Sequence, residues 1–362
     1  MPRQLPRNIK RVVIKVGSSV IATYQMQPKP AHLESLVNQI CAARDKGIDV
    51  VLVSSGAIVL GMGTFNLKNR PSNLASLQAL AAVGQVSLMK TYSDLFAVGK
   101  CKCAQVLLTW DDFTNRTRYN NARHTLAMML NWGVVPVVNE NDTISTNEIK
   151  FGDNDKLSAL TASLVQADLL IILSDVEGLY DLKSTEKKIF EEIKEITQDI
   201  EGLASGTGKK HVSKGGMITK LQAIKIATQA KIPCIIAHGE TRDVLTRILK
   251  GERLGTFFAG KEDKLLERKH WISFGAQPQG VIKIDDGAKA ALLKGGKSLL
   301  LPGIISWEGH FQSDDVVVVQ DKNGEEIGRG MTNYSIDALH KITERKGKPE
   351  VIHCDNLVLS RR

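Results

Sequence analysis

Up to about residue 260, short apolar runs rich in β-branched residues alternate with longer amphipathic segments. The apolar runs are continuous, which is typical of strands buried on both faces of a sheet. The segments between them repeat their apolar residues at the helical period. This pattern predicts strands at 12–16, 50–53, 104–108, 134–138, 169–173 and 234–237. It predicts helices at 32–46, 72–98, 120–131, 155–166 and 216–230.

Buried strands that alternate with helices predict an α/β fold, in which a mainly parallel sheet lies between two layers of helices in an αβα sandwich. The carboxyl ends of parallel strands meet at one edge of such a sheet, and ligands bind there. Polar residues that directly follow a predicted strand are therefore the first candidates for a functional site.

The pattern changes after Gly260, where a charged stretch at 261–269 and a glycine-rich stretch at 275–280 predict a linker. Beyond it, Asn323-Gly324 predicts a hairpin, because this pair tolerates the positive φ of a tight turn. Short strands are predicted at 281–284, 298–301, 316–320, 326–331 and 351–359. We therefore expect a basic arm at 1–10, an α/β domain at 11–260, a linker at 261–279 and a small, mostly β domain at 280–362.

Composition excludes several classes of protein. The chain has 362 residues, 43% hydrophobic and 24% charged, which is typical of globular proteins. No apolar run approaches the roughly 18 residues of a membrane span, and the basic N-terminus lacks a signal-peptide core. Its five cysteines form no Cys-x-x-Cys pair, so neither a disulfide framework nor a zinc site is indicated, and we assign no metal ligands. We expect a cytoplasmic protein without a membrane association.

The formal net charge of +9 is the unusual number, since it suits nucleic acid, an anionic membrane or small anionic substrates. Residues 260–362 hold 16 Lys and Arg against 15 Asp and Glu, so eight of the nine surplus charges precede residue 260. Nucleic-acid binding by the second domain would need a basic face. RNA binding is therefore the minority hypothesis.

Two glycine-containing segments follow the first two predicted strands, and neither is a P-loop or a dinucleotide-binding motif. The first, Lys15-Val16-Gly17-Ser18-Ser19, places a lysine and open backbone N–H groups where an anion could bind, although a strand-end lysine can also simply reach solvent. The second, Ser54-Ser55-Gly56-Ala57, suits either a helix cap or a carboxylate at a helix N-terminus.

Four further polar segments lie at predicted strand or helix ends. Asn139-Glu140-Asn141-Asp142 and Gly152-Asp153-Asn154-Asp155 favour a site for a cation, a metal or an ammonium group, although acids in a first helical turn also suit the helix dipole. Ser174-Asp175 begins a turn that needs no function. Paired glycines at 215–216 lead into a helix with Lys220 one turn inside, as a phosphate site or a plain loop would.

In this order, five segments resemble those of the amino acid kinase family: 15–19, 54–57, 139–142, 152–155 and 214–220. The chain from about Gly280 resembles a PUA domain through Asp285-Asp286-Gly287-Ala288 and 299–304. The resemblance implies ATP-dependent phosphorylation of the side-chain carboxylate of L-glutamate, with Mg²⁺, as the first step of proline biosynthesis. It also implies a homo-oligomer, either a dimer or a tetramer, and proline as a possible feedback inhibitor.

The resemblance also implies roles for individual residues. The resemblance implies acceptor contacts at Ser55, Asp142 and Asn154. Our own hypothesis adds Gly56 beside Ser55 and assigns the substrate's ammonium group to the Asp142 carboxylate. Residues implied to bind ATP are Lys15, Ser174, Asp175, Lys214, Gly215, Gly216, Met217, Ile218, Thr219 and Lys220, and our hypothesis adds Gly17 for backbone access. Lys214 departs from the family's usual threonine.

The expected chemistry needs cations rather than a base, because a free glutamate side chain is already ionised at neutral pH. Our hypothesis is that Lys15 and Lys220 act on the phosphoryl oxygens. Asp153 and Asp155 would orient these lysines or help to hold Mg²⁺.

Three alternatives stay open at this point. A uridylate kinase would accept the phosphoryl group on a phosphate, which the acidic 139–142 loop would repel. An N-acetylglutamate kinase acts on an acceptor without a free ammonium group, and the second domain would be unexpected. An RNA-binding protein would act through the PUA-like domain.

Overall fold

The computed structural model describes residues 3, 5–6, 8–23, 25–144, 154–181, 188–205, 216–260, 272, 278–342 and 349–360. Two compact units divide the chain, residues 1–112 with 116–264 and residues 113–115 with 265–362. Among the sequence-based expectations, Asp153, Lys214, Gly215 and nearly all of the 261–279 linker lie outside the described residues.

The first unit is built on an eight-stranded sheet with the strand order β3-β4-β2-β1-β5-β7-β8-β6. The strands up to β7 pair in parallel, whereas β8 runs antiparallel to β7 and pairs in parallel with β6. The sheet is therefore mainly parallel, as predicted. Its strands are β1 Arg11–Val16, β2 Asp49–Val53, β3 Lys102–Leu108, β4 Val134–Glu140, β5 Leu169–Ser174, β6 Glu192–Ile193, β7 Cys234–His238 and β8 Thr256–Phe258.

Helices cover both faces of this sheet. Val12, Ile14 and Val16 of β1 pack in one core with residues of α2, α4 and α10. Side chains alternate along a strand, so Val13 and Lys15 point to the other face, where α7 contacts β1 and β5. The helices are α1 Ser18–Ile21, α2 Pro30–Asp45, α3 Ala57–Thr64, α4 Leu74–Val98, α5 Trp110–Thr114, α6 Arg116–Asn131, α7 Asp155–Leu164, α8 Gln198–Ser205, α9 Gly216–Gln229 and α10 Val244–Leu249.

The predicted strands and helices of the first unit are confirmed within a few residues at each end. Strand β4 runs past the predicted end at Val138, because its ladder with β3 continues through Asn139 and Glu140. The apolar run ends at Val138, but backbone pairing with β3 continues, so Asn139 and Glu140 belong to the strand. The pattern missed short elements such as α10, β6 and β8, which have too few residues to show a period.

Helices α3 and α4 pack unusually closely through two glycines. A Cβ at Gly84 would lie 1.8 Å from the carbonyl oxygen of Ala57, and one at Gly61 would lie 2.0 Å from that of Leu80. Side chains at these positions would force the backbones apart. Ala57 is the first residue of α3, so its close contact with α4 fixes the position of the N-terminal end of α3.

The second unit holds a five-stranded sheet in the order β11-β9-β12-β13-β15 and a two-stranded ladder of β10 with β14. Phe311 is fully buried in its core. The strands are β9 Gly280–Ile284, β10 Leu299–Leu300, β11 Ile304–Gly309, β12 Val316–Gln320, β13 Glu326–Met331, β14 Glu350–Ile352 and β15 Leu357–Leu359. The helices are α11 Asp286–Leu293 and α12 Ile336–Ile342.

The hairpin prediction is confirmed, since Gly324 has a φ of +84° and the Asp321 carboxylate accepts the N–H groups of Asn323 and Glu325 at 2.9 and 3.0 Å. The single strand predicted at 351–359 is wrong. A 3₁₀ turn at Cys354–Asn356 divides it into β14 and β15, which pair with different strands.

One residue of the predicted basic arm is not at the surface. Arg3 is buried, and its guanidinium donates to the carbonyls of Leu254 at 2.7 Å, Gly255 at 2.9 Å and Glu191 at 3.0 Å. It also lies 5.6 Å from the centroid of the Phe257 ring. This charge ties the N-terminus to the β6 and β8 edge of the sheet and is not available to a polyanion. Across the part of the chain that the structure describes, no helix is both long and apolar enough to cross a membrane.

The close approach of α3 and α4 predicts that Gly84→Ala lowers the free energy of unfolding by about 3 kcal/mol, because the added methyl group meets the Ala57 carbonyl. Gly202→Ala in α8 is the matched control, since a Cβ there would meet no described atom within 4 Å. We expect it to leave stability unchanged or to raise it by about 0.5–1 kcal/mol. Urea denaturation measures both, and equal stabilities of the two variants would contradict the packing argument.

Candidate active site

The sequence-predicted site residues cluster at the carboxyl edge of the parallel strands. Lys15 and Gly17 lie at the end of β1, Ser54 follows β2, Asn139 lies near the end of β4 and Ser174 ends β5. These strands are adjacent in the sheet. Loops at this edge therefore meet over the region where doubly wound sheets bind their ligands.

A buried carboxylate joins two lysines from distant parts of the chain. Asp155, the first residue of α7, is 0% exposed, and its Oδ1 lies 2.6 Å from the Nζ of Lys15. Its Oδ2 lies 3.2 Å from the Nζ of Lys220. Both ammonium groups therefore converge on one carboxylate, which holds them at a fixed separation.

The first turn of α9 shapes the position of the second lysine. The Nζ of Lys220 also donates to the carbonyl of Gly216 at 3.2 Å, one turn back. The Thr219 hydroxyl donates to the same carbonyl at 3.0 Å. Lys220 is therefore folded back over the start of its own helix rather than extended into solvent. Met217 and Ile218 lie in the same turn.

Gly17 keeps the space above β1 open. Its N–H donates to the carbonyl of Leu173 at 3.0 Å, and it precedes the short helix α1. A Cβ at this position would lie 3.9 Å from the Nζ of Lys15 and 3.4 Å from the Leu173 carbonyl. A larger side chain would therefore occupy the space beside the ammonium group.

Asn154, directly before Asp155, bridges the ends of two strands. Its Nδ2 donates to the carbonyl of Ser54 at 2.5 Å and to the Oδ1 of Asn139 at 2.6 Å. The same Oδ1 accepts the N–H of Glu140 at 2.9 Å. The neighbouring residues 154 and 155 thus place an amide beside β2 and β4 and a carboxylate beside β1.

The remaining predicted acceptor residues lie around this amide. Ser55 is buried between β2 and α3, and Gly56 caps α3 with a φ of +92°, a conformation that favours glycine. Asp142 lies in the turn that follows β4. The N-terminus of α3 therefore opens at the same edge as Asn154.

Ser174 and Asp175 lie at the end of β5, the other neighbour of β1. The buried Ser174 hydroxyl donates to the Asp175 carboxylate at 2.9 Å, and the Ser174 carbonyl accepts the N–H of Gly239 at 2.7 Å. Asp175 is exposed. This pair therefore lines the β5 side of the edge, opposite the side on which Asn154 lies.

Helix α4 supports the acceptor side from the opposite helical layer. The fully buried Tyr92 hydroxyl lies 3.1 Å from the Ser54 Oγ, which is 3.2 Å from the carbonyl of Ser55. Burial raises the pKa of Tyr92 to about 12, so its hydroxyl stays protonated and able to donate. The Oε1 of Gln85 accepts the Nδ2 of Asn139 at 2.7 Å.

Neither Gln85 nor Tyr92 was predicted as a functional residue. Both lie on a helix whose other buried positions are mainly apolar, as at Leu80 and Leu88. A tyrosine on a buried helix face usually has a hydrogen-bond partner for its hydroxyl, and this was the signal that could have identified Tyr92. Nothing in the sequence identifies the partner itself.

Asp155 does not fit the role of magnesium ligand, which was one of the two options in our hypothesis. Each of its oxygens already faces an ammonium group, and a divalent cation bound there would face two lysines. The other option, orienting the lysines, agrees with this geometry.

Comparisons with known proteins extend over almost the whole chain. The model of the amino acid kinase family matches residues 10–238, and that of the PUA domain matches residues 280–353. A glutamate 5-kinase from Caldanaerobacter subterraneus is 44% identical over 97% of this chain and 98% of that relative. One from Dictyoglomus thermophilum is 47% identical over 98% of each chain.

Among solved structures, a UMP kinase from Bacillus anthracis is similar at a TM-score of 0.48 and 16% identity, over 72% of this chain and 100% of that one. That likeness is too weak for a functional argument. The sequence relatives carry the comparison.

The buried cluster predicts a large cost for removing its carboxylate. Asp155→Asn should lower the free energy of unfolding by about 3–5 kcal/mol, because two buried ammonium groups lose their counter-charge. Asp94→Asn is the matched control, since Asp94 pairs with Lys90 on the surface with 63% of its side chain exposed. That change should cost about 0.5 kcal/mol or less. Chemical denaturation compares the two, and similar costs would contradict the buried cluster.

Proposed function

Since this chain belongs to the amino acid kinase family, and its relatives of nearly equal length are glutamate 5-kinases, we propose that it transfers the γ-phosphoryl group of ATP to the side-chain carboxylate of L-glutamate. This reaction yields L-glutamyl 5-phosphate, the first intermediate of proline biosynthesis. The observation that carries the proposal is the pair of lysines held by Asp155 at the carboxyl edge of the sheet.

The chemistry requires charge stabilisation rather than proton removal. A glutamate side chain with a pKa of about 4.3 is ionised at neutral pH, so the nucleophile needs no general base. The difficulty is to bring this anion against the phosphates of ATP. Two ammonium groups in a water-poor site reduce that repulsion and stabilise charge on the transferred phosphoryl group.

In this proposal Lys15 and Lys220 contact phosphoryl oxygens, while Asp155 positions both lysines. The open space beside Gly17 and the N–H groups at the start of α9 face the phosphates. Ser174 and Asp175 line the nucleotide side of the site. Lys214 and Gly215 keep the ATP-binding roles that the family resemblance implies, and Asp153 keeps the hypothesised role of orienting the lysines or helping to hold Mg²⁺.

On the acceptor side, the N-terminus of α3 at Ser55 and Gly56 suits a carboxylate, because its N–H groups are unpaired within the helix. Asn154 lies beside it, and its amide contacts the ends of both β2 and β4. Asp142 takes the ammonium group of the substrate. An acidic side chain here favours an amino acid over a nucleotide phosphate as acceptor.

Mg²⁺ enters this proposal with ATP, bound to its phosphates, since Mg²⁺ commonly binds through substrate phosphates. Assembly into a dimer or tetramer and inhibition by proline belong to the same proposal.

An ADP-release assay with ATP, Mg²⁺ and a panel of glutamate, N-acetylglutamate, aspartate and UMP tests the function. We expect turnover with glutamate alone, because only glutamate offers both a free ammonium group and a side-chain carboxylate of the right length. Turnover with UMP alone would overturn the proposal.

Lys220→Met tests the role of the second lysine. We expect kcat to fall by about 10²–10³-fold, because the substitution removes the ammonium group that would stabilise charge on the transferred phosphoryl group. Lys225→Met is the matched control on the same helix, since Lys225 pairs with Glu201 away from the site. It should keep its activity, and circular dichroism should show both variants folded. Near-normal turnover of Lys220→Met would remove this lysine from the reaction.

A further inference from the structure

Two side chains of α4 hold polar groups at the ends of β2 and β4, on the opposite side from α7. We propose that Tyr92 and Gln85 are positioning residues for the acceptor amino acid, acting through Ser54 and Asn139 on the amide of Asn154. This inference rests on the proposed function, because it concerns the acceptor site of the same reaction.

Five residues form what we call the acceptor ring, Gln85, Tyr92, Ser54, Asn154 and Asn139, joined by four hydrogen bonds, one of them to the backbone carbonyl of Ser54, and by helix α4. The links are Tyr92 Oη to Ser54 Oγ at 3.1 Å, Asn154 Nδ2 to the Ser54 carbonyl at 2.5 Å, Asn154 Nδ2 to Asn139 Oδ1 at 2.6 Å, and Asn139 Nδ2 to Gln85 Oε1 at 2.7 Å. Gln85 and Tyr92 are seven residues apart, two turns along one helix face. The helix itself therefore closes the ring.

Three members of this ring are buried. Ser54 and Tyr92 are 0% exposed and Asn139 is 2% exposed. A buried polar group that loses its partner destabilises the fold, so these three residues keep their neighbours in place. The Asn154 amide is thus held against the strand ends before any substrate arrives.

The Gln85 side chain carries a desolvation cost that a residue needed only for packing would avoid. Its Nε2 is buried and has no hydrogen-bond partner among the described residues. A methionine at this position would fill similar space without that penalty. The bond that compensates is the one to Asn139, which leads directly to the acceptor side.

Helix α4 also fixes the second part of the acceptor site. Gly84, next to Gln85, lies against the carbonyl of Ala57 at the start of α3. One rigid helix therefore sets both the Asn154 amide and the N-terminus of α3. By contrast, Lys15 and Lys220 are held by Asp155.

This division predicts a separation of kinetic effects. Tyr92→Phe and Gln85→Met, each made in the full chain, should raise KM for glutamate about tenfold, because each removes one hydrogen bond of the ring and Gln85→Met also takes away the acceptor of the Asn139 Nδ2. KM for ATP should stay within about twofold, because the lysines are held independently. Steady-state ADP release at varied glutamate and at varied ATP measures both.

Leu77→Ala is the control for a loss of stability alone. Leu77 is buried on the same helix, about two turns before Gln85, and lies outside the ring. We expect a lower melting temperature and unchanged values of KM for both substrates. In addition, Ser54→Ala combined with Tyr92→Phe should raise KM for glutamate no further than Ser54→Ala alone, because both changes break the same bond.

Two results would overturn the ring: values of KM for glutamate within about twofold of the wild type in both variants, or equal rises for glutamate and ATP. Failure of the proposed function looks different, since the unsubstituted chain would then show no glutamate-dependent ADP release. In that case the same variants are compared on the acceptor of the panel that is active. A raised KM for that acceptor would support the ring, and an unchanged KM would overturn it.

Discussion

Everything at the functional edge depends on one buried carboxylate placed between two ammonium groups. Asp155 is reached by Lys15 from β1 and by Lys220 from α9, so strand, α7 and α9 must meet at one point. Burying charges is costly unless they are paired at close range, and a small displacement of any of the three elements would leave one unpaired. The same constraint keeps both oxygens of Asp155 engaged, which is why it suits a positioning role and not that of a base or a metal ligand.

The two helical layers support different parts of the proposed active site. On one face, α7 and α9 hold the lysines that would meet the phosphoryl group. On the other face, α4 supports Ser54 and Asn139 through Tyr92 and Gln85. Residues 154 and 155 join the two systems, because neighbouring side chains at the start of α7 reach the acceptor amide cluster and the lysine pair. Because Asn154 contacts the acceptor side and Asp155 contacts the lysines, substitutions can disturb acceptor placement and anion stabilisation separately.

The net charge of +9 is partly accounted for by the described residues. Arg3 is buried against backbone carbonyls at the β6 and β8 edge, and Lys15 and Lys220 point to the candidate site. The second unit, with its near-balanced charge, offers no comparable surplus. This distribution favours small anionic ligands of the first unit over a polyanion as the reason for the basic composition.

The sequence by itself determined the parallel sheet, because runs such as Leu169 to Leu173 are apolar throughout and can be buried only when both faces are covered. It also located Lys15, Asn154 and Lys220 at strand and helix ends, where ligands bind. Only the tertiary structure decided that Asp155 holds two lysines instead of merely complementing a helix dipole, since 140 residues separate it from Lys15 and spacing along the chain carries no information on that contact. The same holds for Gln85 and Tyr92: helical periodicity gives their common face, but their partners lie on strands chosen by the packing of the whole domain.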